Sequence, residues 1–438
     1  MTVIVGAGLA GLVCARLLAE RGGAREFLLL EAEAEPGGRV RSQRTAEGYT
    51  LDRGFQVLLD SYPAVRRHLD LAALAPRYFG SGAILAEPGT AKRWLVSDPR
   101  RHPGDAWQIA LTGAFPLADK ARLLALVAQV LATPDDALLA ETRSARDVST
   151  AHFLWARGFS PAVIERFLRP FFGGVFLDDR LATSAGLFRY YLKKFSTGRA
   201  LLPALGMGEI PRQLARDLPP GVLRLNCRVA RIETAASQRA TAVVTESGER
   251  IPCDRLLLAT DPPAAARLLG KLEASERAER EALGDLTVYF SSAAPLYPQP
   301  MLVLPAGRGR LVRDFAQVTN VAPEYAPPGR HLLSATVLDR PGAKHAFDLR
   351  DDDALFAAAQ REIAAVFPTA DRLLEPLAVV RIRYGQRPQP AGFARDLTAA
   401  PAPTHLANVW RLGDGTTANS IQTAMTSGEQ TAKAFLAA

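Results

Sequence analysis

The sequence contains few of the residues that build covalent or metal-bound frameworks. Its 438 residues include three cysteines, Cys14, Cys227 and Cys253, and these form no CxxC pair. An odd number of widely spaced cysteines argues against disulfide bonds and is typical of a reducing compartment, so we expect a cytoplasmic location. The six histidines show no metal-ligand spacing, and the sequence has neither a nucleophilic-serine elbow nor a Walker-type loop. We therefore predict no metal ion and no nucleophilic-serine chemistry.

Long apolar runs are also missing. The most apolar region, residues 106–132, is interrupted by Asp119, Lys120 and Arg122. Neither part reaches the roughly 18–20 uncharged residues that a membrane-spanning helix needs, so we predict none. A strand pattern begins at Thr2, which leads us to expect no targeting segment.

The net charge of +8 comes from basic residues that are scattered along the chain. They form no block of the kind that follows a nucleic-acid groove, so we predict a generally basic surface and no nucleic-acid partner. A weak peripheral contact with an anionic membrane surface is the alternative.

A chain of this length is too long for one typical core, so we predict two domains. Residues 1–84, 200–275 and 385–438 have the strand and helix pattern of a single α/β domain. Residues 85–199 and residues 276–384 interrupt it, and Pro103–Phe195 is mainly helical by its apolar spacing. We predict that these insertions form a discontinuous α+β substrate-binding domain. The β-like runs of the second insertion are Leu286–Phe290, Met301–Leu304 and His331–Leu338.

A glycine-rich turn directly follows the first strand. Val3-Ile4-Val5 is typical of a buried strand, and Gly6, Gly8 and Gly11 then give the spacing GxGxxG. Gly6 permits a tight turn, Gly8 lets the backbone approach a pyrophosphate, and Gly11 lets the next helix pack against the strand. In this position the pattern predicts a Rossmann-like dinucleotide-binding site.

A helix and an acidic residue complete the pattern. The helix begins at Leu9, and its first residues, Leu9 and Ala10, direct free N–H groups and the positive end of the helix dipole at the phosphates. A second strand, Phe27–Leu30, is followed by Glu31, twenty positions after Gly11. The Glu31 carboxylate can accept hydrogen bonds from both hydroxyls of an adenosine ribose, and it would repel a 2′-phosphate.

The residues after Glu31 carry a resemblance to a known family. The segment Pro36-Gly37-Gly38-Arg39-Val40-Arg41 follows that glutamate. Here the sequence resembles the FAD-dependent superfamily of monoamine oxidases, protoporphyrinogen oxidases and phytoene (carotenoid) desaturases. Gly37 and Gly38 allow the chain to fold under the cofactor, and Arg39 can make a charge-assisted contact to the pyrophosphate. The resemblance implies FAD as the cofactor and an FAD-binding domain of the glutathione-reductase type.

Two later segments are similar to the same superfamily. Leu205–Leu214 is similar to its glycine-methionine-glycine segment, and the strand that follows carries Val229. The resemblance implies a backbone contact from Val229 to the adenine. The segment Trp410–Asp414 is similar to the second flavin motif, which makes Gly413 and Asp414 cofactor-binding candidates. The motif implies that the aspartate binds the ribityl or phosphate-proximal hydroxyls.

The final helix is predicted to begin near Ile421, with Asn419 or Ser420 as its N-cap. The resemblance implies that its N-terminus, including Ile421, points at the N1–C2=O edge of the flavin. The positive end of the helix dipole there would favour the anionic reduced ring.

The segment Asp52-Arg53-Gly54-Phe55-Gln56 is a candidate to line the flavin ring. Gly54 would let the backbone approach the ring, and Phe55 or Gln56 could face the substrate as catalytic candidates. Phe55 could equally belong to a structural turn.

A second substrate-facing candidate lies near the end of the chain. The stretch Arg383–Gly392 resembles a loop that faces the substrate in desaturase-like members. The resemblance makes Tyr384 and Arg387 further catalytic candidates.

The resemblance implies transfer of a hydride from a substrate C–H bond to flavin N5. Amine-oxidising members usually place a lysine near N5, but no lysine occurs between Lys271 and Lys344. Those members also usually present an aromatic residue at the start of the final helix, where this chain has Ser420-Ile421. We therefore expect a substrate other than an amine.

The helical insertion is rich in aromatic side chains. Such a stripe at helical spacing is usual for a core, and the alternative is the wall of a tunnel for a polyene, a terpenoid or another lipid. The aromatic residues are Phe167, Phe171, Phe172 and Phe176 around Gly173-Gly174, followed by Phe188, Tyr191 and Phe195.

These patterns predict an FAD-dependent dehydrogenase or desaturase that acts on a hydrophobic substrate. Three alternatives stay open: an amine or tetrapyrrole oxidase that uses dioxygen, a flavin-free lipid-binding escort protein, and a flavin-dependent isomerase.

Overall fold

The computed structural model describes residues 1–21, 27–97, 101, 113–342 and 345–437. Its strands are β1 (Thr2–Val5), β2 (Phe27–Leu30), β3 (Ser42–Arg44), β4 (Thr50–Asp52), β5 (Leu58–Leu59), β6 (Pro76–Tyr78), β7 (Gly82–Ala86), β8 (Arg93–Ser97), β9 (Ala200–Pro203), β10 (Leu223–Arg224), β11 (Val229–Thr234), β12 (Ala240–Thr245), β13 (Arg250–Pro252), β14 (Arg255–Leu258), β15 (Leu283–Ser292), β16 (Leu302–Pro305), β17 (Val312–Gln317), β18 (His331–Asp339), β19 (Glu375–Gln386), β20 (Ala402–Pro403) and β21 (Val409–Arg411).

The α-helices of the described residues are α1 (Leu9–Arg21), α2 (Pro63–His68), α3 (Leu117–Ala132), α4 (Asp135–Glu141), α5 (Thr150–Ala156), α6 (Pro161–Val163), α7 (Arg169–Phe176), α8 (Ala185–Thr197), α9 (Glu209–Arg216), α10 (Pro262–Leu268), α11 (Leu272–Glu281), α12 (Asp352–Ala364), α13 (Ala370–Leu373) and α14 (Ile421–Ala437). A π-helical turn, Ile164–Leu168, joins α6 to α7.

A six-stranded sheet in the order β10-β2-β1-β14-β21-β20 forms the centre of the first domain. Its first five strands are parallel, and only the edge strand β20 runs antiparallel to its neighbour. The central strands are short aliphatic runs that are buried on both faces, as expected for a parallel sheet covered by other elements. Helix α14 packs closely on α1. The two backbones are so near that a Cβ atom added to Gly428 would lie 2.3 Å from the Ala10 carbonyl oxygen. The predicted Rossmann-like arrangement is confirmed.

A seven-stranded sheet in the order β19-β15-β18-β17-β16-β7-β8 forms the second domain. Its strands are antiparallel except for the parallel pair β16 and β7. One face of β15 and β18 is aliphatic and packs into a core with α12. The other face carries Asp285, Thr287, Ser334 and Thr336, all of which are buried. Side chains alternate across a strand, so this sheet has one dry apolar face and one buried polar face.

The sequence analysis missed four strands of this sheet. The runs around Leu286, Met301 and His331 were predicted, and they correspond to β15, β16 and β18. Strands β7, β8, β17 and β19 were not predicted. The stretch from Arg383, interpreted as a loop, is in fact the end of β19, which pairs with β15 through to Gln386.

Three predicted domain boundaries fall inside secondary-structure elements of the structure. The boundary at residue 84 falls inside β7, which pairs with β8 and β16 in the second sheet. The boundary at residue 275 falls inside α11, and the boundary at residue 384 falls two residues before the end of β19. The segment predicted to be helical is helical from Leu117 to Thr197, with short breaks. Most of residues 98–112 lie outside the described residues.

Within the described part of the chain, no single helix is both long and apolar enough to cross a membrane. The pair α3 and α4 meets the length and composition criteria together, but the two helices are bent by 109°.

Candidate cofactor and substrate site

The glycine turn between β1 and α1 has the geometry that its sequence predicts. Gly6 has φ +104°, a conformation that favours glycine, and an added Cβ atom would lie 3.0 Å from the backbone of Ala259. A Cβ atom on Gly11 would lie 2.0 Å from the Gly6 carbonyl oxygen, so Gly11 is needed for packing. A Cβ atom on Gly8 would meet nothing within 4 Å. Gly8 therefore presents its backbone to open space, as a phosphate-binding turn requires.

The Glu31 carboxylate lies beside this turn. Glu31 is buried, and its Oε2 accepts a hydrogen bond of 2.7 Å from the backbone N–H of Ala7. Its Oε1 accepts one of 3.1 Å from the N–H of Glu33. These bonds fix the carboxylate at the end of β2, and each oxygen keeps a second lone pair for another donor.

The turn that contains Gly37 and Gly38 packs on the glycine turn. The N–H of Gly37 donates to the carbonyl of Ala7 at 2.8 Å, and a Cβ atom on Gly38 would lie 3.6 Å from the Cα of Gly8. Both residues have positive φ angles, +122° and +61°, so the turn depends on glycine. The two glycine motifs are therefore one continuous surface.

Arg39 and Asp414 were predicted as separate cofactor contacts, and the structure pairs them. The Arg39 Nη1 donates to Asp414 Oδ2 at 2.9 Å and to the Gly385 carbonyl at 2.8 Å. Asp414 is buried, and the Arg39 guanidinium lies 5.7 Å from the centre of the Tyr384 ring. Burial raises the pKa of the Tyr384 hydroxyl, which keeps this side chain neutral.

The N-terminus of α14 lies next to this pair. The Ser420 hydroxyl accepts a hydrogen bond of 3.0 Å from the N–H of Thr423, so Ser420 is the N-cap. The Tyr191 hydroxyl donates to the Asn419 carbonyl at 2.7 Å. Helix α8 therefore holds the turn that begins α14.

One large cavity connects these motifs. Its volume is about 2030 Å³, well above the roughly 300–1,000 Å³ typical of a site for one small ligand. The predicted site residues that line it are Gly6, Gly8, Leu9, Ala10, Glu31, Gly38, Arg39, Gly54, Phe55, Gln56, Val229, Tyr384, Gly413, Asp414 and Ile421.

Two predicted site residues do not line the cavity. Gly11 serves the packing of α1 instead. Arg387 was predicted to face the substrate, but its Nη2 donates to the Thr417 carbonyl at 2.7 Å and its guanidinium stacks 5.2 Å from the Phe393 ring. The prediction for Arg387 is corrected: this side chain fixes the chain before α14 from behind the cavity wall.

The segment Gly54-Phe55-Gln56 lines the cavity and contacts β15 of the second sheet. Gly54 has φ +88°, and a Cβ atom there would lie 2.9 Å from Asp285 Oδ2. The N–H of Phe55 donates to the Thr287 hydroxyl at 3.1 Å. The Gln56 side-chain amide donates to two backbone carbonyls, each at 2.9 Å. Gln56 therefore positions this segment, while the Phe55 ring packs edge-on against Phe79 at 6.2 Å.

Aromatic side chains of the helical insertion form much of the apolar wall. The aromatic residues of the predicted stripe fall into two groups. Phe176 and Phe188 are buried in the core, and the others line the cavity. The aromatic residues on the cavity side are Phe167, Phe171, Phe172, Tyr191 and Phe195.

Two buried carboxyl groups in this cavity were missed by the sequence analysis. Asp285 on β15 and Asp314 on β17 both line it and are 6% and 4% exposed. Burial raises the pKa of each to about 7, and Asp314 adds to the shift of Asp285. The signal in the sequence was the alternation of polar residues in an otherwise apolar strand, at Asp285, Thr287 and Ser291.

The residues present fit an FAD molecule. The glycine turns offer open backbone, Glu31 offers acceptors for a ribose, and the cavity has room for a large cofactor and a substrate. Tyr384 and Asn419 line the cavity, and their buried atoms Tyr384 Oη and Asn419 Oδ1 lack a hydrogen-bond partner among the described residues. Orphaned buried atoms of this kind are expected where a ligand supplies the partner.

Comparison with known proteins identifies the family. Residues 9–436 match the family described as flavin-containing amine oxidoreductase. This chain belongs to that family. It is an FAD-dependent oxidoreductase, as the resemblance implied.

The flavoenzyme is similar to named proteins over much of its length. It is 29% identical over 386 residues to phytoene dehydrogenase of Streptomyces griseus, which covers 75% of this chain and 71% of that one. It is 27% identical over 178 residues to chloroplastic protoporphyrinogen oxidase of Oryza sativa subsp. japonica, covering 40% of this chain and 30% of that one. The crystal structure of an oxidoreductase from Methanosarcina mazei matches 99% of both chains with a TM-score of 0.73. The sequence identity in that match is 15%, so it shows the shared fold alone.

The first prediction concerns FAD binding. Changing Glu31 to Gln removes the negative charge of the side chain. That charge strengthens the hydrogen bond from the N–H of Ala7 and would strengthen those from the ribose hydroxyls. We expect the Glu31→Gln flavoenzyme to bind FAD about tenfold to a hundredfold more weakly, the range expected for hydrogen bonds to a charged group. Titration of the apoprotein with FAD measures this. Glu35→Gln, an exposed acid of the same segment, is the control and should bind like the unchanged protein. Equal affinities for both variants would contradict the role given to Glu31.

The second prediction concerns pH. The folded-state pKa of Asp285, about 7, lies above the unfolded value near 4. The folded protein therefore holds this proton more tightly, and the Asp285 contribution to stability falls as the pH rises from about 4 to about 7. Asn cannot ionise, so the melting temperature of Asp285→Asn relative to the unchanged protein should rise by several degrees between about pH 5 and about pH 8.

Thermal melts of the purified flavoenzyme measure this difference. Asp339→Asn, which alters an exposed carboxyl on the neighbouring strand, should show no such trend. A constant difference for Asp285→Asn across this pH range would show that the Asp285 carboxyl titrates normally.

Proposed function

We propose that this flavoenzyme dehydrogenates a large apolar molecule of the polyene or terpenoid class. The observation that carries the proposal is the single cavity, which joins the cofactor-binding residues to an aromatic wall. A cavity that is mostly apolar with a few polar groups is typical of sites for lipid-like ligands.

The aromatic wall is rigid and continuous. The Phe171 ring packs edge-on against Phe172 at 5.0 Å and against Phe195 at 4.9 Å, and it lies 6.0 Å from Phe167. Offset and edge-to-face packing of this kind fixes the ring positions. Such a wall can hold an extended apolar chain and exclude water from it.

The relative with the longer match supports the same substrate class. The phytoene dehydrogenase of Streptomyces griseus is named for an apolar polyene. When bound, FAD supplies the acceptor for a hydride. The chain's own residues would position the substrate: Gly54 allows close approach, and Phe55 and the aromatic wall confine the apolar chain.

A tetrapyrrole oxidase is the second candidate, because protoporphyrinogen oxidase of Oryza sativa is also a relative. That match covers 40% of this chain, whereas the phytoene dehydrogenase match covers 75%. An amine oxidase is less well supported, since β15, β17 and β18 contain no lysine. A flavin-free escort protein would have no use for the buried Glu31 or for the Arg39–Asp414 pair.

The third prediction tests the substrate class. In oxygen-free buffer, phytoene or an extract of apolar lipids should remove the visible absorption of the oxidised flavin. Protoporphyrinogen and putrescine should leave it unchanged. Bleaching by either of these two, with none by the apolar compounds, would refute the proposed class.

Variants of the wall sharpen this test. Phe171→Ala should raise KM for the bleaching compound about tenfold or more, since a large buried ring contact is lost. Phe153→Ala removes a ring of the same size that packs on Phe188 and does not line the cavity. It should leave KM unchanged, and a similar rise in both variants would show a general loss of structure.

We also propose that the protein takes up its substrate at a lipid surface. Leu117, Leu124 and Leu131 recur every seven residues along α3 and are 74%, 62% and 36% exposed. All three also line the cavity. An apolar stripe on a helix of a basic protein favours contact with an anionic membrane surface.

The fourth prediction follows from this stripe. The double variant Leu117→Ser with Leu124→Ser should sediment with anionic phosphatidylserine vesicles several-fold less than the unchanged protein, because less apolar area enters the lipid. Leu272→Ser is the control, since Leu272 is also 62% exposed but lies on α11. Equal sedimentation of all three proteins would contradict contact through α3.

A further inference from the structure

The polar face of the seven-stranded sheet places two matched groups in the cavity. The Thr287 hydroxyl donates to Asp285 Oδ2 at 3.1 Å, and the Thr336 hydroxyl donates to Asp314 Oδ1 at 2.9 Å. Thr287 and Thr336 are direct cross-strand partners of β15 and β18. Thr336 is also the partner of Asp314 on β17. The two threonines therefore stand side by side with a carboxyl group on each flank.

These carboxyl groups are poorly satisfied by the protein. Asp285 Oδ1 is buried and has no hydrogen-bond partner among the described residues. Neither Asp285 nor Asp314 forms an ion pair within the part of the chain that the structure describes. Burying a carboxylate without an ion-pair partner lowers the free energy of unfolding. A buried polar group of this kind therefore points to a functional role.

Beside the two threonine hydroxyls, and the Arg313 charge that acts on Asp314, the carboxyl groups have apolar and backbone neighbours. The Ile382 side chain and the Asp285 carboxylate both approach Gly54, within 3.0 Å of where a Cβ atom would lie. A Cβ atom on Gly174 of α7 would lie 2.3 Å from Asp314 Oδ2. Glycine at both positions leaves the space that these carboxylate oxygens occupy. They are thus a polar patch within a mostly apolar wall.

We propose that the polar patch formed by Asp285, Asp314 and their two threonines binds a hydroxyl group of an otherwise apolar substrate. This inference rests on the proposed substrate class and narrows it to an oxygenated terpenoid. A buried carboxyl group that keeps its proton presents one donor and at least one acceptor, which matches a hydroxyl group. A protonated amine has donors only, so it would pair with an ionised carboxyl group instead. The hydroxyl-bearing end of the substrate would lie beside the Gly54-Phe55 segment.

The fifth prediction uses binding, so the probe need not react. Geranylgeraniol, the amine of the same chain and the corresponding hydrocarbon are titrated into the flavin-loaded protein without oxygen, and the change in the flavin spectrum gives the dissociation constants. The alcohol should bind about tenfold or more tightly than the hydrocarbon, as expected for a hydrogen bond to a buried polar group.

Variants assign that preference to the two carboxyl groups. Asp285→Ala should reduce the preference for the alcohol to about threefold or less. Asp285→Asn, which keeps a donor and an acceptor, should retain most of it. Thr336→Val, which conserves shape and removes the donor to Asp314, provides a second test if Asp285→Ala fails to retain flavin. Asp339→Ala is the control and should behave like the unchanged protein.

Three results would overturn the inference. They are equal binding of the alcohol and the hydrocarbon, a preference that survives both Asp285→Ala and Thr336→Val, and tighter binding of the amine that is lost in Asp285→Asn. The last would identify a cation site instead. The proposed function is tested separately by flavin bleaching, so an alcohol preference without bleaching by any apolar compound would refute the dehydrogenase and keep the hydroxyl site.

Discussion

The ion pair between Arg39 and Asp414 is the contact on which the site depends. It joins the turn after β2 to the turn before α14, two segments that are 375 residues apart in sequence. The same guanidinium also holds the Gly385 carbonyl at the end of β19, and so attaches the second sheet to the first domain. Three separated segments thereby meet at one wall of the cavity. Since Asp414 is buried, loss of either partner would leave a charge without compensation in this wall.

The second sheet has one apolar face and one polar face, and the polar face contributes to the cavity. The aliphatic face packs with α12 and supplies the stability of that domain. The opposite face carries buried threonines and carboxyl groups toward the cavity, where burial raises the pKa of Asp285 and Asp314 to about 7. A period-two alternation in β15 and β18 is enough to produce both faces.

The part of the fold that depends on local sequence could be predicted. The strand, glycine turn and helix from Thr2 to Arg21 form because each step is set by neighbouring residues, and the N-cap of α14 at Ser420 follows the same logic. Strand β19 was missed because arginines at 381 and 383 interrupt its apolar pattern, and only pairing with β15 makes it a strand.

The relations between distant side chains could not be predicted. Arg39 and Asp414 were both recognised, but their pairing depends on how the first and last segments pack. Arg387 lies close to Tyr384 in sequence, yet its side chain points to Thr417, because the chain leaves the sheet after Gln386. Asp285 and Asp314 line the same cavity only through the register of three strands.

The central claim is that one cavity holds both FAD and the substrate, with Glu31 at the adenosine and Gly54-Phe55 at the flavin ring. A crystal structure of the flavin-loaded protein tests it most directly. The account predicts the ribose hydroxyls within hydrogen-bond distance of the Glu31 carboxylate, and the ring against the Gly54-Phe55 segment with open cavity extending to the Phe171 wall. A ring that lies away from Gly54, or an adenosine that makes no contact with Glu31, would contradict it.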